Sequence, residues 1–337
     1  MRVLVTGGCG FFGTNLVEAL ARRGDDVVVL DNLARRGSER NRDYLADAGL
    51  ATIGDADVRD PDAVVSAIDG CDAVVHLAGQ VAVTTSVSDP RTDFEVNATG
   101  TLNVLEAARL SGRNPTVLFA STNKVYGGME DAGVVDTGAQ YAYADLPLGV
   151  PETTPLDFHS PYGCSKGAAD QYVRDYARIY GLPTAVFRMS CLYGPHQLGN
   201  EDQGWLAHFA IRGLRGEGVT IFGDGKQVRD VLYVDDVVDV YLRALDRGSA
   251  LGGDIVNIGG GPEKTLTLLK LVAMLEERLG HAMDVAYEDW RPGDQRVYIS
   301  DVRRAKQVFD WSPTTEVDDG VDRLVEWISA QPYLVAG

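Results

Sequence analysis

A chain of 337 residues that is 45% hydrophobic and 24% charged is long enough for a large core and has the composition of a globular protein. Its formal net charge of −18 argues against non-specific binding to nucleic acid or to an anionic membrane, and no apolar run reaches membrane-spanning length. The four cysteines (Cys9, Cys71, Cys164, Cys191) stand far apart with no C-x-x-C pair, which supports neither a disulfide framework nor a metal site and fits a reducing cytoplasm.

The first apolar run, residues 3–5, predicts a strand at the start of the chain and no leader peptide. Thr6-Gly7-Gly-Cys-Gly10-Phe11-Phe12-Gly13 follows it and opens a helical pattern over 11–23. A glycine loop between a strand and a helix is the setting that a dinucleotide site requires. Gly7, Gly10 and Gly13 permit the tight turn and let the backbone approach a pyrophosphate at the helix N-terminus. A second strand, 27–30, ends at Asp31-Asn32. A carboxylate there hydrogen-bonds the hydroxyls of an adenosine ribose and repels a 2′-phosphate, so NAD is expected rather than NADP. Arg35 and Arg36, just beyond, read as solvated loop charges.

A third strand, 51–53, leads to Asp57 and Val58, placed to touch the adenine, and to a helix at 61–68. The fourth strand, 73–76, ends in His76, read as a packed strand-end histidine, and delivers Leu77, Ala78 and Gly79 to line the dinucleotide channel. A helix at 93–110 and a strand at 116–119 come next. The connection 127–160 is then unusually long, and its Tyr141, Tyr143 and Phe158 predict an ordered wall of a pocket. A helix at 161–180 and a strand at 184–187 complete the alternation.

This β–α rhythm predicts an α/β fold with a Rossmann-type, doubly wound parallel sheet. Beyond residue 191 the pattern is irregular, with helices near 202–215, 235–246, 266–279, 301–309 and 318–329 and short strands at 220–222 and 231–233. The expected division is an NAD-binding domain over 1–190 and a smaller α/β substrate lobe over 191–337, with an approximate boundary and room for interleaving.

Tyr162 and Lys166 lie four residues apart, on one face of a helix. Lys166 is expected to hold a positive charge near the Tyr162 hydroxyl and to favour its phenolate, since an unperturbed phenol with a pKa of about 10 is too weak a base at neutral pH. Thr122 follows the fifth strand, at the carboxyl edge of the sheet where ligands of open α/β folds bind. Together these residues predict redox chemistry on an alcohol. Tyr162 takes the carbinol proton, Thr122 hydrogen-bonds the reacting oxygen, and Lys166 contacts the nicotinamide ribose. The residues after Thr122 are Asn123 and Lys124, without a carboxylate, so an elimination or decarboxylation step is disfavoured.

With these marks in place, the chain resembles the extended short-chain dehydrogenase/reductase family over nearly its full length. The matching residues are the T-G-x-x-G-x-x-G loop, Asp31, Asp57, Asn97, Tyr162-x-x-x-Lys166, Arg229-Asp-Val-Leu-Tyr-Val and Arg291-Pro-Gly-Asp294. The resemblance implies that Asn97 belongs to the cofactor site and that Arg229, Arg291 and Asp294 belong to the substrate site. In that family the arginines of the last two segments hold the diphosphate of a nucleotide sugar. Longer strings, among them Ser121-Thr-Asn-Lys-Val-Tyr-Gly127 and Ser160-Pro-Tyr-Gly-Cys-Ser-Lys166, resemble a narrower group, the CDP-paratose (CDP-tyvelose) 2-epimerases. That likeness adds Asn123 and Lys124 to the substrate site. Cys191 stands where many family members carry an Asn, which removes one polar contact to the substrate phosphates.

The expectation is an NAD-dependent epimerase that acts on a CDP-, GDP-, UDP- or ADP-hexose, at C2, by transient oxidation to a keto-sugar and hydride return to the opposite face. A 4-epimerase or 4-ketoreductase on a related nucleotide sugar is the alternative, because the same catalytic group serves any ring position. A dinucleotide-sensing protein without catalysis is the third reading; retention of Thr122, Tyr162 and Lys166 together counts against it. The long helices at 93–110 and 161–180 suggest a homodimer or higher homo-oligomer.

Overall fold

The computed structural model describes residues 1–291 and 295–335. Seven strands form the main sheet: β1 (Arg2–Thr6), β2 (Asp26–Asp31), β3 (Thr52–Asp55), β4 (Ala73–His76), β5 (Thr116–Thr122), β6 (Thr184–Met189) and β7 (Asp254–Ile258). Their order is β7-β6-β5-β4-β1-β2-β3, and every neighbouring pair is parallel. The chain runs outward from β1 to β3 and then returns to the other side of β1 at β4. The loops after β1 and β4 therefore diverge, and a crevice opens at the carboxyl ends of these two strands.

Strand geometry sends alternate side chains to opposite faces, and both faces of this sheet are covered. Val3 and Val5 of β1 enter one apolar cluster with Leu16, Leu20, Val237 and Tyr241. Leu4 points the other way, into a cluster with Val64, Val104, Val173 and Tyr176. The helices on the first face include Phe11–Arg23 and Val234–Arg247; those on the second include Pro61–Ile68, Gly100–Leu110 and Ser160–Tyr180. Local signals set their ends. Asp60 accepts hydrogen bonds from the backbone of Asp62 and Ala63 ahead of Pro61, and Gly181 closes the helix Ser160–Tyr180 in the left-handed conformation.

Strand β7 comes from the irregular second half, so chain beyond residue 190 completes the main sheet. Other pieces of that half make smaller sheets. Val228–Tyr233 pairs with Cys191–Tyr193, Thr265–Thr267 and Val297–Tyr298, and Val219–Phe222 pairs with Val285–Glu288. The long connection after β5 is folded. It holds a hairpin, Val134–Asp136 with Tyr141–Tyr143, and its Tyr141, Tyr143 and Val150 pack with Val228, Val297 and Tyr298 in a third apolar cluster. Among the described residues no helix is long and apolar enough to cross a membrane.

Candidate active site

The loop after β1 is built for close backbone contact. A Cβ on Gly7 would stand 2.7 Å from the backbone nitrogen of Ala78, and one on Gly13 would run into the Gly7 carbonyl. The helix Phe11–Arg23 begins at Gly10, which has extended backbone and makes no side-chain cap bond, so the first-turn N–H groups are left for a ligand. Phe11 and Phe12 contribute backbone there: Phe12 turns its ring into the core, edge-on to Tyr241 at 4.9 Å, and Phe11 packs against the same cluster. Leu77, Ala78 and Gly79 follow β4 directly and form the facing side of the crevice.

Asp31, at the end of β2, accepts the backbone N–H groups of Cys9 and Leu33, each at 2.9 Å, one on each carboxylate oxygen. Burial pushes its pKa up, and these two bonds oppose that shift. Each oxygen keeps a lone pair for a ribose hydroxyl. Asn32 donates to Asp57 at 2.7 Å, and Asp57 also pairs with Arg59 at 2.8 Å, which holds its carboxyl down at about 2. Val58 is buried against Gly100, where a Cβ would approach within 2.7 Å of it. The glycine cradle, the uncapped helix start and the strand-end carboxylate fit NAD.

The catalytic candidates converge at the edges of β4 and β5. Tyr162 and Lys166 lie in the first turns of the helix Ser160–Tyr180 and are only 8% and 5% exposed. The Thr122 hydroxyl donates to Asn123 Oδ1 at 3.3 Å and lies near enough to the Tyr162 phenol to favour its ionised form. Lys166 Nζ lies 4.2 Å from the centre of the Phe119 ring. Ionisation in this structure departs from the sequence expectation. Burial pushes the Tyr162 phenol up to about 12, with Thr122 working against the shift, and burial pulls the Lys166 ammonium down to about 7. Lys166 alone does not make Tyr162 a phenolate, because the same desolvation that raises the phenol lowers the lysine.

Asn97, expected in the cofactor site, lies beside Gly79. It lies in a π-helical turn, Glu95–Thr99, and its amide is fully engaged within the protein. Its oxygen accepts from the Gln80 backbone N–H at 2.9 Å; its nitrogen donates to the Gln80 carbonyl, to Asp93 and to Ser165 Oγ. Asn97 therefore ties the loop after β4 to the catalytic helix. His76 has no room for chemistry. Its ring nitrogens contact the hydroxyls of Thr6 at 2.7 Å and Thr101 at 3.0 Å.

On the substrate side, Asn123 and Lys124 continue from Thr122 in a short 3-10 turn. Lys124 donates to Gln295 Oε1 at 3.4 Å, and Arg229 donates to the carbonyls of Val228 and Gln295. Gln295 is buried and also holds the Gly127 carbonyl at 2.6 Å. Lys124 and Arg229 thus meet on one residue, and the field of both reaches Cys191. Arg291 lies over the Phe222 ring and pairs with Glu201 and Asp202, at 3.4 Å each. Asp294 lies outside the described residues. Sequence reasoning missed Gln80, Asp93 and Gln295; of these only Asp93, four residues before Asn97, carried a spacing signal.

The model of the NAD dependent epimerase/dehydratase family matches residues 3–259. The chain is 43% identical to the CDP-paratose 2-epimerase of Salmonella typhi, over 98% of this chain and all of that one. It is 34% identical to the UDP-glucose 4-epimerase of Mycolicibacterium smegmatis, covering 97% and 98% of the two chains. Among solved structures, the UDP-glucose 4-epimerase of Thermotoga maritima with UDP-glucose superposes with a TM-score of 0.85, at 33% identity, over 98% of this chain and 99% of that one. The dTDP-glucose 4,6-dehydratase of Streptomyces venezuelae, with NAD bound, gives 0.85 at 29% identity, over 99% and 98%. With a cradle that fits NAD at one end of the crevice and Thr122, Tyr162 and Lys166 at the other, this chain belongs to the NAD-dependent epimerase/dehydratase family and acts on nucleotide sugars.

Proposed function

We propose that this protein epimerises a nucleotide-diphosphate hexose at C2. The observation that carries the reading is the convergence of Thr122, Tyr162 and Lys166 at the sheet edge, next to Asn123-Lys124 where an elimination would need a carboxylate. The full-length likeness to a CDP-paratose 2-epimerase supports both the carbon and a CDP-linked substrate as first choice.

Tyr162 accepts the O–H proton of the sugar carbinol as the C–H bond breaks, so the carbinol loses two electrons and becomes a ketone. Thr122 donates a hydrogen bond to the reacting oxygen. The keto-sugar then presents its other face, and Tyr162 returns the proton as the carbinol reforms with opposite configuration. NAD, held by the Gly7–Gly13 cradle and Asp31, would supply the hydride acceptor and donor and a positive charge favouring the Tyr162 phenolate. Arg229 and Arg291 are placed to hold the diphosphate, with Arg291 exchanging Glu201 and Asp202 for phosphate oxygens.

The test is incubation with CDP-, GDP-, UDP- and ADP-hexoses and analysis of the products by NMR. A substrate deuterated at C2 should give a product that keeps the label; extensive exchange with solvent would overturn direct return. Tyr162→Phe should lose turnover by roughly 10³-fold with its fold intact. A 4-epimerase is the second reading, favoured by the superposition on a UDP-glucose 4-epimerase. Inversion at C4 in the same NMR assay would identify it, and stoichiometric consumption of NADH or NADPH would identify a 4-ketoreductase.

A further inference from the structure

Asp93 lies in the short helix Pro90–Phe94, packed against the catalytic helix, and has no solvent exposure. Its Oδ2 accepts from Ser165 Oγ at 2.5 Å, and its Oδ1 accepts from Gln80 Nε2 and Asn97 Nδ2, both at 3.1 Å. All three donors are neutral. A buried carboxylate held only by neutral donors keeps a strong unbalanced field, because the surroundings screen it poorly.

That field falls on the catalytic pair. Ser165 is the residue before Lys166, and Asn97 meets Lys166 at Gly79: a Cβ there would lie 3.0 Å from Asn97 Oδ1 and 3.8 Å from Lys166 Nζ. The charged and titratable groups that face Lys166 are Asp93, Asp170 and Tyr162 on the helical side and His76 on β4. Asp170 is also engaged by Arg188, whose Nε and Nη2 both donate to it at 2.9 Å. His76 is neutral in its threonine-lined site. Asp170 is the larger anionic influence on Lys166 and Asp93 the second, and the hydrogen-bond donors that hold Asp93 are all neutral.

We propose that Asp93 is a positioning residue for the catalytic pair, which fixes the helix start through Ser165 and the loop after β4 through Asn97 and Gln80, and adds to Asp170 a negative charge that favours the ammonium form of Lys166. The attraction is mutual: Lys166 lowers the pKa of Asp93 and Asp93 raises that of Lys166, each against the dominant effect of burial. This inference rests on the catalytic reading of Tyr162 and Lys166 above.

The test uses the small number of lysines. The chain has six, so ¹³C-lysine NMR of the whole protein gives few Cε signals, and Lys166→Met assigns the one of interest. With NAD content matched between samples, Asp93→Asn should lower the Lys166 titration midpoint by about one pH unit or more. Ser165→Ala, which removes a hydrogen bond but keeps the carboxylate, should destabilise the fold and leave that midpoint near its native value. An unchanged midpoint in folded Asp93→Asn, or an equal fall in Ser165→Ala, overturns the proposal. Should Asp93→Asn not fold, Asp93→Glu must keep the native midpoint, and a fall with the charge retained is equally fatal. Turnover of Tyr162→Phe judges the catalytic reading separately, since the lysine titration requires no substrate.

Discussion

Burial holds the His76 imidazole at about 3, far below its ordinary range, with the Lys166 charge adding a smaller push. The unfolded chain takes up that proton near pH 6.5 and the folded protein does not until about pH 3, so the stabilisation is complete above 6.5 and drains away as pH falls between these values. The full loss is on the order of 5 kcal/mol for a fully buried ring. Burial depresses His196 and His208 as well, and they add to the same slope. His76→Gln, which keeps polar atoms for Thr6 and Thr101, should remove the largest part of it. Urea unfolding at a series of pH values between about 7 and 4.5 measures this, above the range where Asp57 titrates; an equally steep loss in the variant would refute it. Residues of this kind divide by legibility. Gly7, Asp31 and the Tyr162–Lys166 pair were readable because neighbours in sequence give their meaning. Asp93 and Gln295 were not, since their partners, Ser165 and Lys124, come from distant parts of the chain.

Elements were legible where periodicity was strong. The six strands read before residue 191 all belong to the main sheet, the two read beyond it belong to the smaller sheets, and the five helices of the irregular half match within a few residues at each end. The failures have physical causes. The helix Ser38–Asp47 is polar almost throughout and buries only Ser38, Asn41 and Leu45, so it offers no apolar stripe to detect. Strand β7 follows the end of the β–α rhythm, and only its parallel pairing with β6 defines it. The connection after β5 could be read as ordered from its aromatics but not placed. Its position depends on one contact in particular: a Cβ on Gly167, in the catalytic helix, would run into the Phe158 ring. Gly167→Ala gains about 1 kcal/mol in helix propensity but forces the ring to shift, at about 1–3 kcal/mol. A net loss of about 1 kcal/mol is expected, with a raised KM for the nucleotide sugar as the pocket wall moves. Denaturant midpoints and steady-state kinetics check this; a stabilised variant with native KM would show that Phe158 does not position the wall.

For the whole molecule, the distribution of exposed apolar side chains points to self-association. Val87, Phe94, Leu110, Tyr172, Ile179 and Tyr180 are each more than half exposed, and all lie on the helices of one face of the sheet. The helices Val83–Ser88, Pro90–Phe94 and Gly100–Leu110 all pack against Ser160–Tyr180, so these side chains share one side of the molecule. A chain with a net charge of −18 gains nothing from general attraction between copies, and a dimer must be held by local apolar burial. A homodimer of two 36.3 kDa chains through this helical face is therefore expected, stabilised by about 1.5–3 kcal/mol for each large side chain that becomes fully covered. Such an interface would run along the outer side of Ser160–Tyr180, the helix that carries Tyr162 and Lys166, and so restrain the start of that helix in both copies. Ile179→Glu combined with Leu110→Glu places like charges in the contact, and light scattering should then report the mass of a single chain. Loss of activity on dilution should accompany the change if the dimer steadies the catalytic helix. Native chains that scatter as monomers at micromolar concentration would show that this face serves another purpose.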